Sequence, residues 1–169
     1  MPKLHMICGL PCSGKTTFAR KLETELPALR FSPDEWMEPF VGAKDWDKDT
    51  ETFEKQRLKM EALLLDFALR AVKQGVNAIL ENGFWGKQER DMYRAKAAEH
   101  GVEVELHYMD VPHDELLSRL KIRNENLTPG TFYIAESQLI GWFKTFEPPG
   151  VDELGRSGKS AGAAKRFKM

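Results

Sequence analysis

The chain has 169 residues, 41% of them hydrophobic and 30% charged, with a formal net charge of −1. That length suits one domain with room for a real core, and no apolar run approaches the roughly 20 residues of a membrane span. The five basic residues of 155–169 leave 20 basic against 26 acidic residues in the body, about −6, which disfavours a long polyanionic partner such as DNA or RNA.

Leu4 to Cys8 reads as a short apolar strand. Its position leaves no room for a signal peptide, so a cytoplasmic location is expected. The two cysteines, Cys8 and Cys12, suit reduced thiols rather than a disulfide. Gly9-Leu10-Pro11-Cys12-Ser13-Gly14-Lys15-Thr16 follows, and it fits G-x-x-x-x-G-K-[ST] between that strand and a helix predicted over Lys15 to Leu26. In that setting the glycines let successive amides converge on phosphate oxygens, and the helix N-terminus adds partial positive charge. The nucleotide-binding set is therefore Gly9, Pro11, Cys12, Ser13, Gly14, Lys15, Thr16 and Thr17. Lys15 is expected to reach the β- and γ-phosphates, and the Thr16 hydroxyl to bind Mg²⁺. A nucleoside triphosphate is the expected ligand.

Ala28 to Ser32 reads as a second strand, and Pro33-Asp34-Glu35 opens a turn or helix. Asp34 thus falls at the C-terminal edge of the sheet, where doubly wound folds place ligands. Its carboxylate suits a general base for an attacking hydroxyl; its alternative role is to cap the helix. Residues 42–50 are polar and loop-like. A long helix is predicted from Glu51 to Gln74, with Met60, Leu64, Phe67 and Ala71 as its apolar face and Gly75 as its stop.

Val76 to Leu80 is an apolar strand, and Glu81 ends it in the position of an acid that holds Mg²⁺ or its waters. The loop Glu81 to Gly86, a charged helix Lys87 to His100, and a strand Val102 to Val111 follow. A helix from Pro112 to about Arg123 puts Arg119 and Arg123 on one face, a clamp suited to phosphate oxygens or, alternatively, a solvated face paired with neighbouring acids. Phe132, Ala135, Leu139, Trp142 and Phe146 recur at helical spacing and predict a further helix. Trp36, Phe40, Trp46, Phe84 and Trp85 are candidates for the walls of an acceptor pocket.

Alternating strands and helices predict an α/β fold with a parallel sheet of four strands, a fifth being hard to locate. Residues 1–154 form the domain, and 155–169 a basic, flexible tail whose Ser157-Gly158-Lys159-Ser160 echoes the phosphate loop without its leading strand.

Set in order, Gly-Leu-Pro-Cys-Ser-Gly-Lys-Thr-Thr, Ser32-Pro33-Asp34-Glu35, Glu81-Asn82-Gly83-Phe84-Trp85, Arg119…Arg123-Asn124, Phe146-Glu147-Pro148-Pro149 and Asp152-Glu153 resemble the small P-loop kinases. This AAA-domain ATP-binding group is related to polynucleotide kinase, chloramphenicol phosphotransferase and zeta toxin. The resemblance covers roughly residues 3–154. It implies a P-loop three-layer αβα fold with strand order 2-3-1-4, ATP and Mg²⁺, and an acceptor hydroxyl activated at Asp34. It also implies a lid carrying Arg119 and Arg123, and Phe146 to Pro149, with Pro148, near the adenine. Cys12 stands where glycine is common in the group, and Glu81 where aspartate is usual.

The catalytic set expected is Lys15, Asp34, Arg119 and Arg123, with Thr16 and Glu81 on the metal. The expected activity is ATP-dependent phosphorylation of a small-molecule hydroxyl. Rival readings are a kinase of nucleic-acid 5′ ends and a nucleotide-dependent switch or ATPase.

Overall fold

Strand β1 (Leu4–Cys8) is buried along its whole length, so both of its faces must be covered. Leu4, Met6 and Cys8 point to one side of the sheet; Ile7 packs on the other. The computed structural model describes residues 1–154 and 165–168. In chain order the elements are β1, α1 (Lys15–Glu25), β2 (Ala28–Phe31), α2 (Pro33–Val41), α3 (Thr50–Lys73), β3 (Asn77–Gly83), α4 (Lys87–Glu99), β4 (Val104–Asp110), α5 (His113–Glu125), α6 (Glu136–Phe143), α7 (Val151–Leu154) and β5 (Lys165–Lys168). All paired strands run parallel, in the order β2-β3-β1-β4-β5. This is the αβα P-loop fold with the expected 2-3-1-4 core.

Each sheet face is covered by its own apolar cluster. On one, α3 and α4 bury Leu64, Ala68, Leu69, Tyr93 and Ala97 against Leu4, Met6 and Leu80. On the other, α1 packs Ala19, Phe18 and Leu22 against Ile7, Ile79 and Met109. A third cluster joins α5 and α6 through Leu116, Leu120, Ile134 and Leu139. No helix among the described residues is long and apolar enough to cross a membrane.

Several local expectations are corrected. The buried face of α3 is Phe53, Glu61, Leu64, Leu65, Ala68, Leu69 and Val72, rotated from the expected Met60–Leu64–Phe67–Ala71 stripe, and Phe67 is exposed. Two apolar stripes overlap on this helix, and tertiary packing selects the one facing the sheet. β3 continues through Glu81 and Asn82 to Gly83, taking in residues expected in a loop. The helix predicted across Phe132 to Phe146 is shorter, Glu136–Phe143; Phe132 is buried outside it.

The expectation of a structureless tail over 155–169 is corrected at Lys165–Lys168. These residues form β5, with His107 opposite Lys165 and Asp110 opposite Lys168. Backbone pairing to the edge of β4 makes this strand, and four residues with one apolar side chain carry no periodicity to reveal it. The remaining tail positions, including the Ser157–Ser160 echo, lie outside the described residues.

The C-terminal end of the domain is fastened by a buried ion pair. Arg90 on α4 is fully buried and donates to Glu153 Oε1 (2.8 Å) and Oε2 (2.7 Å), and to the carbonyls of Phe84 (3.0 Å) and Glu147 (2.9 Å). Arg94 adds a bond to Glu153 Oε1 (2.9 Å). Burial pushes the Glu153 carboxyl up, but the two guanidinium groups outweigh it and hold it at about 2.

Breaking a buried pair leaves an uncompensated charge, so Glu153→Gln is expected to cost roughly 3–5 kcal/mol in urea unfolding. Because the folded value lies below the ordinary 4.5, the pair's contribution is complete above about pH 4.5 and is lost as the pH falls toward 2. A variant as stable as the parent, with an unchanged acid limb, would contradict this fastening.

Candidate functional site

The loop between β1 and α1 alternates backbone hands as an anion nest requires. Gly9 has φ +150°, Cys12 +65° and Gly14 +89°. A Cβ on Gly9 would lie 2.7 Å from Ser13 Oγ and 3.1 Å from the Met109 carbonyl, so only glycine fits there. Gly9 N–H donates to the Gly83 carbonyl (2.9 Å), tying the loop to the end of β3. No side chain caps the N-terminus of α1, and its first turn holds no acid. Its orphan N–H groups are left for an outside acceptor, the arrangement that binds phosphate. Ser13 Oγ is buried without a hydrogen-bond partner.

Lys15 Nζ donates to the Leu10 carbonyl (2.8 Å) within the loop. Desolvation pushes its ammonium down to about 8, against the opposing fields of Asp34 and Glu81. Those two carboxylates and Lys15 line one cavity of about 690 Å³, together with Pro11, Cys12, Gly14, Thr16 and Thr17. The same cavity receives Arg119 and Arg123 from α5. Arg119 donates to the Cys12 carbonyl (3.3 Å) and to Glu115 (2.5 Å); Arg123 donates to the Phe132 carbonyl (3.0 Å) and touches Cys12 Sγ (3.7 Å).

Pro148 is placed elsewhere. With Phe146, His113 and Leu116 it lines a second cavity of about 360 Å³, on the other side of the loop at Leu10 and Ser13. Of the candidate acceptor-pocket aromatics, Trp46 and Trp85 line the large cavity, Phe84 is buried in the core, and Trp36 and Phe40 are exposed.

The metal candidates differ in their surroundings. Thr16 faces the large cavity without a competing side-chain bond. Glu81 is buried, and Arg30 Nη1 donates to its Oε1 at 2.5 Å. Thr16 and Glu81 offer hard oxygen donors beside the phosphate nest, a set that fits Mg²⁺.

Arg57 and Glu61, which sequence reading did not single out, organise the far side of the cavity together with Asn82, the neighbour of Glu81. Arg57 on α3 donates to Asp34 Oδ1 (3.0 Å), to Glu61 Oε1 (3.0 Å) and to the Asn82 carbonyl (3.4 Å). Burial pushes the Glu61 carboxyl up to about 7, with Arg57 opposing. Asn82 gives its Nδ2 to Tyr93 (2.7 Å), and its buried Oδ1 has no partner. The Arg57–Glu61 spacing of one helical turn was visible in the sequence; the reach of Arg57 to Asp34 was not.

A family model described as an AAA domain matches residues 4–149. The chain belongs to that family. No curated protein matches it. Among solved structures, a candidate kinase from Chloroflexus aurantiacus J-10-fl aligns at TM-score 0.72 and 20% identity, covering 99% of this chain and 85% of that one. A sugar kinase from Janibacter sp. HTCC2649 aligns at 0.64 and 17%, covering 98% and 86%. A chain of the Pnkp1/Rnl/Hen1 RNA repair complex aligns at 0.60 and 25%, covering 89% of this chain and 49% of that one.

The Lys15 ammonium titrates at about 8 in the free protein, and only its protonated form can serve a phosphate. A bound polyphosphate raises that value, so binding takes up a proton above pH 8. Nucleotide affinity is expected to fall about tenfold from pH 7 to pH 9. Calorimetry in two buffers of different ionisation enthalpy checks this, and a flat profile without proton uptake would refute it.

Proposed function

We propose that this protein is an ATP-dependent kinase that phosphorylates a hydroxyl of a small molecule. The observation that carries this reading is Asp34: it shares one cavity with the phosphate nest and Lys15, and Arg57 fixes its carboxylate there. A switch needs no such carboxylate facing a room beyond the phosphates. The sugar kinase among the similar folds agrees with a small acceptor. The RNA repair complex keeps a 5′-end acceptor in view, but the acids around the far end of the cavity disfavour a polyanion.

The chemistry follows from the residues present. The nest amides and Lys15 hold the β- and γ-phosphates, while Phe146 and Pro148 wall the neighbouring cavity for the adenine. Thr16 would hold Mg²⁺ with Glu81 behind it, and the metal would neutralise charge between the two phosphates. The acceptor hydroxyl oxygen bonds the γ-phosphorus as the bond to the β,γ-bridging oxygen breaks, leaving ADP, and its proton passes to Asp34. Arg119 and Arg123 exchange their present carbonyl partners for the equatorial phosphoryl oxygens.

The test is acceptor-stimulated ADP release across sugars, nucleosides, antibiotics and oligonucleotide ends. With an acceptor in hand, Asp34→Asn is expected to keep nucleotide binding and lose roughly 10²–10⁴-fold in kcat. Asparagine keeps the size and can still pair with Arg57, but takes no proton. Near-normal turnover in that variant would remove the base assignment.

Arg123→Ala, and to a lesser degree Arg119→Ala, is expected to lower kcat more than ATP affinity, since these contacts tighten as charge spreads in the transition state. Equal losses in binding and turnover would mark both as ground-state contacts.

A further inference from the structure

The cations of the large cavity divide into two groups. Lys15, Arg119 and Arg123 lie at the phosphate nest, each bonded to a backbone carbonyl that a phosphate oxygen can replace, Arg119 also to Glu115. At the far end Arg57 is committed: Nε to Glu61, Nη1 to Asp34, Nη2 to the Asn82 carbonyl. Arg20 is bound to Glu35, which also takes Arg30. Each cation described at that end is already paired with a carboxylate.

The acids outnumber them. Asp34, Glu54, Glu61 and Glu89 all line this end around the guanidinium of Arg57. Each lies within the electrostatic reach of Arg57, and Glu89 adds its repulsion to Glu61. Burial raises both Glu61 and Glu89 even with Arg57 on the one and the Gly86 and Trp85 backbone on the other, a desolvation cost that a further cation beside them would offset. Asn82, only 6% exposed, brings an unpartnered Oδ1 to the same wall, a further acceptor without a donor.

The remaining wall is aromatic. Trp46, Phe53 and Phe132 form one packed cluster, and Trp142 joins it to Trp85, with Trp46–Trp142 centroids 6.3 Å apart and Trp85–Trp142 centroids 5.2 Å apart. Ring faces beside buried carboxylates suit a cation with an apolar body. A phosphate or carboxylate on the acceptor would meet acids and cations already paired with carboxylates.

Resting on the kinase reading above, we propose that the acceptor is an amino alcohol: a compact polyhydroxylated molecule whose protonated amine sits among Glu61, Glu89 and Asn82 while one hydroxyl faces Asp34. The amine is held and not modified; the phosphoryl group goes to oxygen.

The experiment compares three panels of matched size with the full chain and ATP, reading ADP release and thermal shift. Glucosamine, galactosamine and 2-deoxystreptamine form the amine panel; glucose, galactose and myo-inositol the neutral one. Gluconate, glucose 6-phosphate and a 5′-hydroxyl, 3′-phosphate nucleotide form the anionic one. The amine panel is expected to lead in kcat/KM by about tenfold or more, the scale of one charge-assisted bond in a half-enclosed site. Glu89→Gln and the exposed Glu54→Gln should raise KM for the amine-bearing acceptor and leave ATP KM unchanged. Glu61→Gln should do the same where its melting curve shows a folded protein.

Equal rates across the amine and neutral panels, or a lead for the neutral or anionic panel, would overturn the amine assignment and leave the kinase reading standing. So would an amine preference that persists in Glu89→Gln and in a folded Glu61→Gln. Failure of every panel to accelerate ADP release by a protein that binds ATP would overturn both.

Discussion

The fully buried guanidinium of Arg90 sets the geometry on which both cavities depend. Taking a charge out of water is expensive and is repaid only when every donor finds a partner. Here Glu153 supplies two oxygens and the carbonyls of Phe84 and Glu147 two more, so that each guanidinium nitrogen has a partner. Phe84 can offer its carbonyl because it sits at φ +51° just past β3, an unusual conformation for a large side chain. The pair therefore links three places: the end of β3, the start of α4 and the chain after α6. Glu147 reinforces the seam, donating its N–H to the Trp85 carbonyl and accepting from Lys87 N–H (2.8 Å). Phe146 and Pro148, which wall the smaller cavity, and Trp85, which walls the larger, are held by one buried charge.

The other arginines show the same economy of partners. Arg30 gathers Glu23, Glu35 and Glu81, and Arg57 gathers Asp34 and Glu61. Each concentrates carboxylates that would otherwise repel one another near the sheet edge. What remains free to meet an anion is therefore set by subtraction. Around the large cavity Lys15, Arg119 and Arg123 each hold a backbone carbonyl that an anion can replace, and all three converge on the loop carrying Cys12. An acidic body and a phosphate site are compatible because the acids are paired before they reach the nest.

Much of this was legible in the sequence. The first four strands follow from apolar runs punctuated by glycine and proline, their order comes only with the resemblance to the small P-loop kinases, and β1 and its phosphate loop are unmistakable because pattern and flanks agree. The α3 face was not legible, since Leu64 belongs to both candidate stripes and only the sheet decides between them. β5 escaped for the opposite reason: its existence depends on an open β4 edge far away in the chain. Arg57, Arg30 and Arg90 were hidden among many surface charges, and each becomes visible only through a contact more than fifty residues away or between separate elements. Cys12 and Glu81, departures from the related kinases, illustrate a further limit. The sequence marks the positions, but the positive φ of Cys12 and the Arg30 bond of Glu81 appear only in three dimensions.

The pleat of β3 resolves how one cavity can serve two opposite chemistries. Successive residues of a strand point to opposite faces. Glu81 faces the α1 side, where it meets Arg30 and the field of Lys15. Asn82 faces the α3 and α4 side, where it meets Tyr93 while its carbonyl meets Arg57. The strand thus sends one side chain toward the phosphate nest and the next toward the far room. Gly83 then lets the backbone turn at φ +94° and accept the Gly9 N–H, which locks the register between this fork and the loop. Any shift of β3 by one residue would exchange the two side chains and place an amide against the phosphates and a carboxylate beside Tyr93. The separation of the phosphate nest from the far room is therefore a consequence of strand register, set by the ladders of β3 with β1 and β2 and tied to the loop by the bond from its first glycine.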